Sequence, residues 1–141
     1  MRDWFQLDPD EVRVLADAVA RACAGIPRPS SFEGYLQSWS GVVCRVEQGY
    51  KLTIDDYTND LYVRDIIESV LLGVPATLHK KVFPEVEVLD RRFIAATRGV
   101  SRPLLEPDPQ TDRLGYWWFR IPKQLNERLE RSLKTWGILD A

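Results

Sequence analysis

Residues 53–72 read TIDDYTNDLYVRDIIESVLL. This is the most hydrophobic long run in the chain, and it opens on the densest cluster of acids. From Asn59 onward, Tyr62, Val63, Ile66, Ile67, Val70 and Leu71 recur at spacings of three and four, which puts them on one broad face of a helix. Arg64, Asp65, Glu68 and Ser69 fall on the other face. An apolar face that wide predicts a central helix with neighbours on more than one side. Thr53 can cap it, with Asp56 three positions later. Asp55, Asp56 and Asp60 sit in or near its first turn, where the helix dipole favours negative charge. Gly73 and Pro75 end it.

Upstream, Leu7–Ile26 predicts a first helix. Asp8 is placed to cap, Pro9 suits the first helical position, and Glu11 completes a capping box. Leu7 and Val12 are spaced for a hydrophobic staple, and Val12, Leu15, Ala16, Val19, Ala22 and Cys23 follow at helical spacing. Gly25 and Pro27 break it. Ser30 and Glu33 make a second capping pair. A stripe from Phe32 through Tyr35, Leu36, Trp39, Val42, Val43 and Val46 then predicts a helix to about Gln48, ended by Gly49. The β-branched run Gly41–Val46 competes as a strand, since Gly41 weakens a helix by about 1 kcal/mol, but the stripe stays in phase throughout.

Downstream, Leu78, Val82, Val86, Leu89, Phe93 and Ala96 line one face of Ala76–Thr97. Pro84 interrupts that face, so the segment is either one kinked helix or two. Val100–Gly115 holds several breakers and reads as an irregular connection. Tyr116–Ile121, YWWFRI, reads as extended, because aromatic residues favour a pleated surface. A last helix then starts at Pro122, with Leu125, Leu129, Leu133 and Trp136 inward. The expected fold is mainly α: one compact helical bundle of about five helices over residues 1–141, with one short extended aromatic segment.

At 141 residues the chain can bury a core without disulfides or metal. A net charge of −2 gives no global attraction to nucleic acid or anionic membrane. Cys23 and Cys44 make no disulfide framework and are read as reduced thiols. No secretory signal or membrane-spanning run is visible, so the cytoplasm is the expected compartment.

The chain has no Gly-rich phosphate loop and no Cys-x-x-Cys. Asp55, Asp56, Asn59 and Asp60 lack the spacing of a calcium loop, and helix-start chemistry explains them. The single histidine, His79, stands beside Lys80 and Lys81 and fits a solvated patch better than a catalytic base. No cofactor or metal is expected. The basic residues of the C-terminal half alternate with Glu127 and Glu130 at ion-pair spacing, which argues against a nucleic-acid surface. The run Tyr116–Phe119 is the most distinctive feature. As a strand it would send Tyr116 and Trp118 inward and leave Trp117 and Phe119 for a partner. The expected function is therefore a non-enzymatic protein-binding domain, a description that small toxin-neutralising proteins also fit by analogy of type. Its protein partner would meet Trp117, Phe119, Asp55, Asp56 and Asp60. The alternatives are an enzyme whose carboxylate or metal site is assembled from distant residues, and a nucleic-acid-associated accessory protein.

Overall fold

The computed structural model describes residues 5–105 and 114–140. Helix α1 (Pro9–Ala22) begins on the expected capping box. Asp8 accepts from the Glu11 amide at 2.8 Å, and Glu11 accepts from the Asp8 amide at 3.1 Å. Leu15, Ala18 and Val19 are buried, but Val12 is 55% exposed, so the inner face turns away from it. Helix α2 (Phe32–Glu47) is continuous through Gly41 and buries its whole predicted stripe. Its cap is Ser31 rather than Ser30: the Ser31 hydroxyl accepts from the Gly34 amide at 3.0 Å. Gly49, at φ +93°, takes the left-handed conformation that lets the chain leave this helix.

Helix α3 (Ile54–Leu72) is the centre of a mainly helical bundle, packing against α1, α2 and the C-terminal elements. Thr53 caps it: its hydroxyl accepts from the Asp56 amide, and the Asp56 carboxylate accepts from the Thr53 amide at 3.1 Å. Its phase differs from the sequence reading. The buried side chains are Ile54, Tyr57, Leu61, Arg64, Ile67, Val70 and Leu71. Tyr62 is 45% exposed, and Val63 and Ile66 are only half-buried. The reason is Arg64, whose charge is neutralised inside the bundle and so sits on the inner face.

Helix α4 (Ala76–Ala96) is one helix that runs through Pro84. Proline removes the bond that would reach the Lys80 carbonyl. Both residues lie on the exposed side, where water can serve that carbonyl. Strand β1 (Thr97–Gly99) pairs antiparallel with β2 (Arg120–Pro122), placing Thr97 opposite Pro122 and Gly99 opposite Arg120. The Arg120 guanidinium fixes this pairing by donating to the Thr97 hydroxyl at 2.7 Å and to the Thr97 and Ile94 carbonyls. Helix α5 (Glu127–Thr135) starts five residues after Pro122, capped by Asn126. Its Leu129 and Leu133 are buried.

Tyr116–Phe119 is not extended; it forms a short 3-10 helix. With about three residues per turn, neighbours no longer alternate between two faces. Trp117 and Trp118 both point inward, at 3% and 0% exposure, while Tyr116 is 38% exposed and Phe119 half-buried. The Trp117 ring folds back over Gly115, where any side chain would collide with it. Among the described residues, no helix is long and apolar enough to cross a membrane.

Candidate functional site

Where the middle of α3 meets α4 and the 3-10 helix, the surface opens into a cleft of about 750 Å³. Helix α3 contributes Arg64, Asp65 and Glu68, and α4 contributes Asp90 and Phe83. Leu114, Tyr116 and Trp117 form the wall on the aromatic side. At the base lies a buried ion pair. Arg64 donates through Nε to Asp90 Oδ1 and through a terminal nitrogen to Asp90 Oδ2, both at 2.9 Å. A third donor reaches Glu68 Oε1 at 3.1 Å. The Trp39 indole adds a 3.0 Å bond to Asp90 Oδ1. The guanidinium also lies over the Trp117 ring, 4.4 Å from its centre. Burial alone would lower the Arg64 pKa, but the Asp90 and Glu68 carboxylates outweigh it and the net shift is upward.

Beside this pair, Asp65 Oδ1 accepts from two indoles at once: Trp117 Nε1 at 2.7 Å and Trp118 Nε1 at 2.9 Å. A buried indole N–H needs an acceptor, and one carboxylate oxygen serves both. Burial raises the Asp65 pKa above its ordinary value, partly opposed by these two donors and by Arg64. Asp65 is thus the anchor that seats the aromatic segment on α3.

Among the described residues, the three carboxylates of the cleft exceed its one cation by two charges, counting Asp65, Glu68 and Asp90 against Arg64. The walls are largely apolar, from Leu72, Phe83, Leu114 and the two aromatic rings. Such a cleft can hold a cationic group carried on an apolar stem.

No family model, curated protein or solved structure matches the chain. The chemistry of the site therefore rests on its own geometry.

The acids singled out in the sequence lie elsewhere. Asp56 is engaged in the α3 cap, and Thr53's hydrogen bonds hold its carboxyl below the ordinary range. Asp60 accepts from the Tyr50 hydroxyl at 2.6 Å and pairs with Arg45 at 3.2 Å. Asp55 is exposed near them. None of the three lines the cleft with Trp117. The expectation that Trp117 is an exposed anchor is corrected: its indole is buried and bonded to Asp65. Phe119 is half-buried and packs against the core. His79 stacks on Phe83 at 5.1 Å. Among the described residues, no cluster of His, Cys, Asp or Glu is arranged to hold a metal ion. Cys23 is buried and Cys44 half-buried, both as free thiols.

A second concavity, of about 350 Å³, lies between α1 and the start of α2. Leu7, Val12, Ala16, Val19, Pro29 and Phe32 line it. It explains why Val12 is exposed on an otherwise apolar stripe.

Asp65, Glu68 and Asp90 were not picked out in the sequence. The signal for them was present in Arg64. It stands in the series Tyr57, Leu61, Arg64, Ile67, Leu71, at the spacing of a buried stripe, and a buried arginine demands carboxylate partners.

Proposed function

We propose that this protein is a non-enzymatic protein-binding domain that takes a basic segment of its partner into the cleft between α3, α4 and the 3-10 helix. The observation that carries this reading is the surplus of negative charge among Asp65, Glu68 and Asp90 within apolar walls. Charge complementarity would steer the partner in, and the apolar walls would supply affinity. An acid–base enzyme is a weaker reading of the same residues. Asp90 is tied to Arg64 and Trp39, and Asp65 Oδ1 accepts from two indoles; these bonds commit both carboxylates to holding the fold together.

The test is a titration with two labelled peptides of equal length. One alternates leucine with lysine and arginine; the other alternates leucine with glutamate. The basic peptide should saturate, bind more weakly at high salt, and fail to bind Glu68→Lys protein that melts like the parent. Equal binding of both peptides, or undiminished binding to Glu68→Lys, would overturn the proposal.

A further inference from the structure

We draw no further inference here: the strongest candidate, the apolar groove of about 350 Å³ between α1 and the start of α2, lined by Leu7, Val12, Ala16, Val19, Pro29 and Phe32, carries nothing because nothing in the structure shows what covers it.

Discussion

Helix α3 carries two groups of acids, and the structure uses them in different ways. Asp55, Asp56 and Asp60 lie in the first two turns. Asp56 is satisfied by Thr53, three residues away, and Asp60 by Tyr50 and Arg45 of the preceding segment. Asp65 and Glu68, one to two turns further on, belong to a network that spans α3, α4 and the 3-10 helix. Asp65 reaches indoles 52 and 53 residues later, and Arg64 between the two groups reaches Asp90, 26 residues later. Asp56 answers to the local chemistry of the helix start and Asp60 to side chains of the segment just before it. Asp65 is explained by what distant parts of the chain bring against it.

Substitutions test that distinction by size. The largest effect should come from Asp90→Ala. It strands the buried Arg64 charge, a loss of about 3–5 kcal/mol in denaturant unfolding, and replacing Arg64 and Asp90 together with Met and Leu should recover most of it. A single mutant as stable as the parent would mean the pair is not buried in solution. Asp65→Ala comes next. It leaves two inward-facing indole N–H groups without their acceptor and should cost about 1–3 kcal/mol, with a red shift in tryptophan emission as the segment loosens. Thr53→Ala removes only a cap, and its midpoint should move by about 1 kcal/mol. If Thr53→Ala proves worse than Asp65→Ala, the local group matters more than the tertiary one and the contrast fails.

The smallest effect is a difference in sign with pH. Thr53's hydrogen bonds lower the Asp56 pKa below the ordinary 3.8. Its contribution to stability is therefore present above that value and lost as pH falls through the lowered one. Burial raises the Asp65 pKa above 3.8. The folded protein binds that proton more readily than the unfolded chain, so this contribution is full below 3.8 and lost as pH rises through the raised value. Unfolding midpoints of Asp56→Asn and Asp65→Asn, each compared with the parent across the acid range, should diverge from it in opposite directions. Parallel curves would contradict the two environments.

What the sequence made legible follows the same line. The Asp8–Glu11 and Thr53–Asp56 boxes, the α2 stripe and the end at Gly49 are decided within a few residues, and all stand where local chemistry puts them. The sequence reading places Arg64 in water and so misses the phase of α3; the Asp90 and Glu68 carboxylates make its burial tolerable. YWWFRI reads as a strand on propensity, and its end, Arg120 and Ile121, does lie in β2. In Tyr116–Phe119, two neighbouring indoles that share one acceptor are instead satisfied by a tight helical turn, with Gly115 giving the Trp117 ring room to fold back. Of the cleft's lining, Trp117 is singled out by the sequence reading, whereas Asp55, Asp56 and Asp60 lie outside the cleft. Nothing local in the sequence distinguishes Asp65 from Asp60; the partners that the fold brings against each do.

Asn126 ties the end of the chain to its middle. Its carbonyl oxygen accepts from the Leu129 amide at 2.7 Å, capping α5, while its amide donates to the Tyr50 and Leu52 carbonyls, each at 3.1 Å. A helix of nine residues is too short to persist alone in water. The side chain that starts it is held in position by a turn more than seventy residues earlier. Helix α5 should therefore depend on the α2–α3 turn: in native-state hydrogen exchange its amide protons are expected to exchange in step with that turn rather than by fraying on their own.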